Sequence, residues 1–330
     1  MLARIRNSSM LRQSVLVFAG SMVLSVCGFA SQAIASRKLG VEVYGALAAL
    51  ISAYQIAAIP GGFLGPVVAR LAAEFRALHD DGHLRGLATA VARGFTVIGL
   101  GYVVVAAIFA VPFARFLNVP VWSAPVVGLL AALALFIVAL RAIAQGTQDF
   151  LEFAISNAVE GVAKVAGIVV CIAAGLRLLG GIAGFLIGPL CAIIFLGGRL
   201  MARYSLAPLR TVHYDWRKIA SASGGAASAQ IALTLLPTAD VVLVRHFFPQ
   251  SEAGLYAAAS IAGKILLYLV GFIPTVLLPQ AADRHARGAR TREVLFASLG
   301  LLAAISVGGL LVFKFFGLLV LHALVGHAFD

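Results

Sequence analysis

The stretch APVVGLLAALALFIVAL, residues Ala124–Leu140, contains no charged side chain and no side chain that forms hydrogen bonds. The apolar run is continuous and does not alternate, which indicates a helix and not a strand of a membrane barrel. A helix needs roughly 20 such residues to cross the hydrocarbon core of a bilayer. The stretch therefore predicts a membrane-spanning helix.

The composition of the 330-residue chain indicates that this span is one of many. Hydrophobic residues make up 62% of the chain and charged residues only 12%, and the mean hydropathy is +1.02. A soluble domain is nearer half apolar and a quarter charged. We therefore predict an integral membrane protein with many spans. Soluble enzymes, secreted disulfide scaffolds and nucleic-acid-binding domains are excluded as the main class.

Nine apolar stretches are long enough to be spans, so the predicted fold class is an all-α polytopic membrane protein. They are Ser14–Ala35, Ala46–Ala69, Gly94–Phe113, Ala124–Leu140, Asn157–Leu176, Leu179–Gly198, Ile219–Val244, Ala253–Pro279 and Val294–Phe313. The residues after Lys314 form a shorter apolar segment with two histidines, for which we predict an interfacial tail.

The basic residues are distributed unequally between the two sides of these spans. Seventeen lie on the side of the N-terminus, six lie on the other side, and Lys164 and Lys264 lie within spans. Arg141 is assigned to a loop on the first side and Arg245 to the other side. Because cytoplasmic loops are enriched in Lys and Arg, the N-terminus is predicted to be cytoplasmic.

Two parts of the chain align without a gap when the sequence is shifted by 209 residues. Gly45 then falls on Gly254, and Ala72-Ala73-Glu74 falls on Ala281-Ala282-Asp283. In each copy a span ends at a basic residue, an acidic turn with glycine follows, and a span with proline returns to a basic loop. Spans one and two are therefore predicted to correspond to spans seven and eight, as parallel repeats about an axis normal to the membrane.

The repeat also predicts the domain organisation. A complete six-helix lobe is expected over 1–200, a basic cytoplasmic linker over 201–218, and a partial second lobe of three helices over 219–330. Because the second lobe ends about three helices earlier than the first, we expect a truncated chain. The alternative is a further subunit that completes the bundle.

Several turns of the chain carry a resemblance to a known family. They are ASRKLGVEVYGALAAL at 35–50, RAIAQGTQDF at 141–150, VRHFFPQSEAGLYAAAS at 244–260, LLPQAADRHARG at 277–288 and VGHAFD at 325–330. In order and spacing they resemble the turns of bacterial polysaccharide flippases of the multidrug/oligosaccharidyl-lipid/polysaccharide (MOP) exporter superfamily. The resemblance covers essentially the whole chain, but such flippases have two six-helix lobes.

The resemblance implies transport across the bacterial inner membrane and no enzymatic activity. The implied substrate is a polyprenyl-diphosphate-linked oligosaccharide, moved from the cytoplasmic to the outer leaflet by alternating access for surface polysaccharide biosynthesis. Membrane proteins of glycan assembly are implied partners, and the basic loops predict attraction to anionic lipids. No nucleic acid, metal or cofactor is expected, apart from a coupling ion, H⁺ or Na⁺. The alternatives are a cation-coupled multidrug or small-solute antiporter of the same superfamily, or a truncated remnant that does not transport.

Ionisable residues within spans are the candidates for substrate binding. Each costs roughly 2.5–3.5 kcal/mol at the centre of a span, so it should face the bundle interior or a water-filled cavity. Glu160 and Lys164 lie one turn apart. They form either a self-neutralising pair or a polar wall from which Lys164 reaches a diphosphate. Lys264 has no acidic residue nearby in the sequence, which indicates contact with an anionic headgroup, or a partner across the bundle such as Glu160 or Asp240.

Asp240 is a separate candidate, for ion coupling, because it follows Pro237 within a span. The proline frees a backbone carbonyl and kinks the helix, and a carboxylate at such a kink could bind a proton or Na⁺. The simpler alternative is an ion pair between Asp240 and Arg245 near the outer interface.

Helix-breaking residues within the spans are candidates for a gate or hinge. They are Pro60, Gly61, Gly62 and Pro66 in span two and Pro237 in span seven. Ordinary packing is the alternative, because Gly and Pro are more frequent in membrane helices than in soluble ones.

Overall fold

The computed structural model describes residues 2–204, 227–228, 230–271 and 292–325, and helices are the only regular secondary structure in these ranges. The helices are α1 (Leu2–Leu39), α2 (Val41–Ala57), α3 (Ile59–Ala77), α4 (Asp81–Ile108), α5 (Ala110–Leu117), α6 (Ser123–Gly146), α7 (Phe150–Ala173), α8 (Arg177–Tyr204), α9 (Ala239–Phe247), α10 (Gln250–Gly271) and α11 (Arg292–Val325).

The predicted all-α polytopic fold is confirmed. By length and composition, α1 from Val15 onwards, α4, α6, α7 and α8 are each able to cross a membrane. The predicted second span is broken, because α2 and α3 meet at an angle of 42°, and by length and composition the two helices are able to cross a membrane only when taken together. The predicted third span is also divided, between α4 and the short α5.

The end of the described chain differs from the expectation. Helix α11 continues through Lys314 to Val325, so as far as residue 325 the segment predicted as a separate tail belongs to this helix, and its interfacial position stays a prediction. The segment contains no proline, and its single Gly317 costs only about 1 kcal/mol of helix propensity, so nothing in it ends the helix. Residues 326–330 lie outside the described residues, as do most of the predicted linker 201–218 and parts of the predicted spans Ile219–Val244 and Ala253–Pro279.

Helix α2 is the central element of the packing. It contacts α6 and α8 on one side and α9 and α10 on the other, and its residues from Tyr44 to Ser52 are buried. Elsewhere α7 packs between α1 and α8, and α6 packs against α3 and α4. The first eight helices therefore form one bundle, to which α9 and α10 are joined through α2 and α9 also through α5.

The contact between α2 and α10 depends on two glycines. A Cβ atom added at Gly45 would lie 2.8 Å from the Cα atom of Gly254, and one added at Gly254 would collide with the backbone of Val41. Gly45 and Gly254 are the residues that the shift of 209 pairs with each other. Corresponding residues meet in this way where a two-fold axis passes between two copies of a unit.

Glycine also permits the turn that brings α2 beside α1. Gly40 separates the two helices with a φ of +77°, in the left-handed region that side chains with a Cβ rarely adopt. The turn directs α2 back along the bundle, where its buried face forms one wall of a cavity.

Candidate functional site

A cavity of about 180 Å³ lies where α1, α2, α7, α8, α9 and α10 meet. Its polar lining consists of Ser25, Gln32, Ser52, Tyr54, Gln55, Lys164 and Lys264. None of the lining residues in the described part of the chain is acidic. The two lysines that the sequence predicts for headgroup binding thus face one cavity. Lys164 lies on α7, in the predicted first lobe, and Lys264 lies on α10, in the predicted second lobe.

Lys164 belongs to a group of charges that we name the three-charge cluster, consisting of Arg141, Glu160 and Lys164. The Lys164 Nζ atom lies 3.3 Å from Oε1 of Glu160, as their spacing of one helical turn predicts. The Arg141 Nη2 atom lies 2.8 Å from the other carboxylate oxygen. Arg141 also donates hydrogen bonds from Nε to Ser156 Oγ (3.1 Å) and from Nη2 to Ser156 O (3.0 Å). The cluster therefore joins α6 to α7.

The assignment of Arg141 to a cytoplasmic loop is wrong. Helix α6 continues to Gly146, so Arg141 lies within it, and the Arg141 side chain is only 12% exposed. The predicted span ended at Leu140 because the apolar run ends there. The sequence carried no signal for the contact with Glu160, because Lys164 on the same helix face already balances that charge.

The close approach of α8 positions Lys164. A Cβ added at Gly188 would lie 3.0 Å from the Lys164 Cβ atom, and one added at Gly184 would lie 2.7 Å from the Lys164 carbonyl oxygen. The Lys164 ammonium lies 5.2 Å from the centre of the Phe185 ring, within the range of a cation–π interaction. Lys164 is 8% exposed, and its accessible part faces the cavity.

Lys264 has one charged partner, Asp240, and we name the two residues the Asp240–Lys264 pair. Its Nζ atom lies 3.8 Å from Oδ1 of Asp240, which identifies the partner across the bundle. The other oxygen of Asp240 accepts hydrogen bonds from Tyr256 Oη (3.1 Å) and Ser260 Oγ (3.0 Å). The Lys264 side chain is 17% exposed and the Asp240 side chain is 29% exposed.

The predicted ion pair between Asp240 and Arg245 does not form. Arg245 instead donates from Nε to Leu117 O and from Nη2 to Asn118 O, both at 3.0 Å, at the C-terminal end of α5. The neighbouring His246 stacks on Phe116, with ring centres 4.0 Å apart, and its Nδ1 lies 2.8 Å from Phe116 O. A helix C-terminus presents unpaired carbonyl groups, which attract a buried guanidinium. We name these contacts the α5–α9 clamp.

The candidate gate and hinge residues lie at or near breaks in helices. Pro60 is in the first turn of α3, directly after the bend, and Pro66 lies within α3. The Tyr102 hydroxyl donates a hydrogen bond to the Ala57 carbonyl at this bend (2.8 Å). Pro237 lies in the turn before α9. Their role in gating stays a prediction.

Gly61 and Gly62 lie in the first turn of α3 and allow two side chains to approach this helix. A Cβ at Gly61 would lie 3.2 Å from the Leu135 side chain, and one at Gly62 would overlap the Gln230 side chain. Gln230 precedes α9 in the chain, so Gly62 lies at a contact between the two parts of the bundle. A gate or a close packing contact would both require glycine here.

The sequence pattern of a family described as "Polysaccharide biosynthesis protein" matches residues 89–330, well over half of the chain. The chain belongs to this family. The part of the chain that matches the family includes the three-charge cluster, the Asp240–Lys264 pair and the α5–α9 clamp. A comparison with curated proteins finds no match.

Solved structures show the same fold as this polysaccharide biosynthesis family member. An inward-facing multidrug resistance MATE family transporter of the MOP superfamily has a TM-score of 0.75 at 10% identity, covering 96% of this chain and 77% of the other. An outward-facing structure of such a transporter has a TM-score of 0.55 at 14% identity, covering 96% and 82%. A MOP superfamily transporter from Pyrococcus furiosus, described as having a binding pocket of reverse polarity, has a TM-score of 0.51 at 15% identity, covering 91% and 61%. The fold is therefore that of MOP-superfamily membrane transporters.

Proposed function

We propose that this protein transports a polyprenyl-diphosphate-linked oligosaccharide from the cytoplasmic to the outer leaflet of a bacterial inner membrane. The observation that carries the proposal is the pair of lysines, Lys164 and Lys264, on one cavity between the two parts of the bundle. A diphosphate cannot enter hydrocarbon without compensation for its charge, so a protein that moves it needs fixed cations along the path. The family of the chain supports a glycan substrate.

The net charge at the cavity supports an anionic ligand. The three-charge cluster contains two cations and one carboxylate, and the Asp240–Lys264 pair is neutral. The sum over both groups is one positive charge, and the residues that carry it toward the cavity are lysines. The cavity is smaller than the roughly 300–1,000 Å³ of pockets for drug-sized ligands. In this conformation it accommodates a headgroup and not an oligosaccharide.

Movement by alternating access is supported by the contacts at one end of the bundle. The α5–α9 clamp and the contact between Gly45 and Gly254 both join the two lobes at the end that the basic residues predict to face outward. The higher similarity to the inward-facing transporter agrees with closure at that end. Opening toward the outer leaflet would require both contacts to separate.

The test is transport of a fluorescent polyprenyl-diphosphate-linked sugar in proteoliposomes, with the double variant Lys164→Met/Lys264→Met. Loss of two charge-assisted contacts should reduce transport at least about tenfold. The matched control is Lys38→Met, which removes an exposed lysine outside the cavity. Transport by the double variant at the rate of the native protein would exclude this function for the cavity.

A cation-coupled antiporter is the second candidate, and one observation favours it. The Asp240 Oδ1 atom is buried, and no hydrogen-bond donor reaches it among the described residues. A proton or Na⁺ could occupy such a position. This alternative predicts that Asp240→Asn abolishes cation-driven efflux of a cationic dye such as ethidium. The flippase proposal predicts that the same variant still binds a diphosphate.

A further inference from the structure

Arg141 and Glu160 lie behind the wall of the cavity, whereas Lys164 is part of the wall. Neither Arg141 nor Glu160 lines the cavity, although both belong to the three-charge cluster. Of the three charges, only that of Lys164 can contact a ligand there. The state of Glu160 therefore decides how much of the charge of Lys164 a ligand experiences.

Glu160 and Lys164 alone would form a neutral pair on one face of α7. Such a pair, one turn apart and shielded from bulk water, has little attraction left for an anion. Arg141 changes this balance, because its Nη2 atom lies 2.8 Å from one carboxylate oxygen while Lys164 donates a 3.3 Å hydrogen bond to the other. With Arg141 present the cluster has a net charge of one positive unit.

We propose that Arg141 is a positioning residue that holds Glu160, so that Lys164 faces the cavity as a cation available to a diphosphate. The inference rests on the proposed function and deepens it, since it identifies a residue that sets the preference of the cavity for a doubly charged phosphate group. Arg141 acts through Glu160 and does not touch the ligand.

The geometry explains why an arginine occupies this position. The guanidinium is planar with donors in fixed directions, and here its Nη2 atom lies beside both Glu160 and the Ser156 carbonyl, while its Nε donates to the Ser156 hydroxyl. The bonds to Ser156 fix its plane against α7. The carboxylate is thereby shared, with one oxygen beside Arg141 and the other accepting from Lys164.

A purely structural role for Arg141 would be to fasten α6 to α7. The two roles differ in what happens when Glu160 is neutralised as well. If Arg141 only fastens the helices, the double variant Arg141→Met/Glu160→Gln is at least as impaired as Arg141→Met. If Arg141 sets the charge, the double variant leaves Lys164 with no carboxylate to compete for it, and binding recovers.

The experiment measures the affinity of the full chain, in nanodiscs of uncharged lipid, for farnesyl diphosphate, farnesyl monophosphate and farnesol. Arg141→Met should weaken diphosphate binding about tenfold, weaken monophosphate binding less, and leave farnesol binding unchanged. Arg141→Met/Glu160→Gln should return diphosphate binding to within about threefold of the native protein. Arg141→Lys, which keeps the charge, should lie between the native protein and Arg141→Met.

The matched control is Arg93→Met, an exposed position on α4, which should change none of the three affinities. Native diphosphate affinity in Arg141→Met, or no recovery in the double variant, would overturn the inference. The double variant also remains informative if Arg141→Met folds poorly, because it has no unbalanced carboxylate.

Failure of this inference can be separated from failure of the proposed function. If Lys164→Met and Lys264→Met both bind farnesyl diphosphate normally, the cavity is not a diphosphate site and the proposed function fails. If Lys164→Met weakens binding and Arg141→Met does not, only the role of Arg141 is wrong.

Discussion

The two lysines of the cavity have opposite electrostatic settings. Lys164 shares Glu160 with Arg141, in a cluster whose three side chains are each no more than 12% exposed. Lys264 is the one cation paired with Asp240 among the described residues, at 3.8 Å, and this pair is more widely spaced and more exposed. Lys164 is buried in a cluster with one excess positive charge, and Lys264 is in a more exposed pair with no net charge. The comparison indicates that Lys164 gives a fixed attraction for an anion, whereas Lys264 must leave Asp240 to bind one.

The largest expected difference between the two sites is in stability. Glu160→Gln leaves Arg141 and Lys164 as buried cations with no counter-ion, which should lower the free energy of unfolding by about 3–5 kcal/mol. Asp240→Asn changes a partly exposed pair and should cost under about 1 kcal/mol. Unfolding followed by tryptophan fluorescence in detergent measures both. Equal costs would contradict the contrast between the buried cluster and the more exposed pair.

The second difference concerns ligand affinity. Here we expect the larger effect at the Asp240–Lys264 pair, whereas for stability we expect it at the three-charge cluster. Lys264→Ala leaves Asp240 as an uncompensated carboxylate beside the cavity, so farnesyl diphosphate binding should fall about 100-fold. Lys164→Ala leaves Glu160 still paired with Arg141, and binding should fall only about tenfold. The control Lys264→Ala/Asp240→Asn should recover to the level of Lys164→Ala. Equal losses in the two single variants would show that the partners of the lysines do not matter.

One site lies on α6 and α7 and the other on α9 and α10, so we expect their separation to depend on the contacts that join these parts of the bundle. Arg245→Met removes both hydrogen bonds of the arginine to α5 and should shift the equilibrium toward the open outer end about tenfold. Spin labels at the exposed residues Val121 and Phe248 would report a longer distance component. Arg115→Met, on the exposed face of α5, is the matched control and should leave the distances unchanged. If Arg245→Met leaves the spin-label distances unchanged, the α5–α9 clamp has no part in closing the outer end.

The smallest expected effect sharpens the interpretation of Lys264. Asp240→Asn removes the charge that competes for Lys264, and diphosphate affinity should rise about threefold, since a partly exposed pair contributes under about 1 kcal/mol. Asp240→Glu keeps the charge and is the control, with unchanged affinity expected. A fall in affinity with Asp240→Asn would favour the ion-coupling alternative for this residue.

The sequence predicted those features that depend on neighbours along one helix or on composition. The helical membrane fold followed from hydropathy, and the contact between Glu160 and Lys164 followed from their spacing of one turn. Lys264 was expected to have either an anionic ligand or a partner across the bundle, and Asp240 was one of two partners considered. The contact between Glu160 and Lys164 was predictable because a helix fixes which residues share a face, whereas the choice of Asp240 for Lys264 joins two helices and needed the structure.

The sequence failed where a contact joins distant parts of the chain. Arg245 was expected to pair with Asp240, five residues away, but it reaches carbonyl groups at Leu117 and Asn118. Backbone carbonyls at a helix end have no signature in the sequence. Arg141 was missed for a related reason, because hydropathy ends a predicted span at a charge even where a buried carboxylate allows the helix to continue.

The sequence by itself determined that the chain is an all-α membrane protein and that Lys164, Lys264, Glu160 and Asp240 had to avoid lipid. The reason is the cost of a charge in hydrocarbon, which depends on the residue type and its depth in a span. Only the tertiary structure decided that both lysines face one cavity, and that one carboxylate is shared while the other is not. Those relations depend on how helices pack, and packing is set by many weak contacts between residues far apart in the chain.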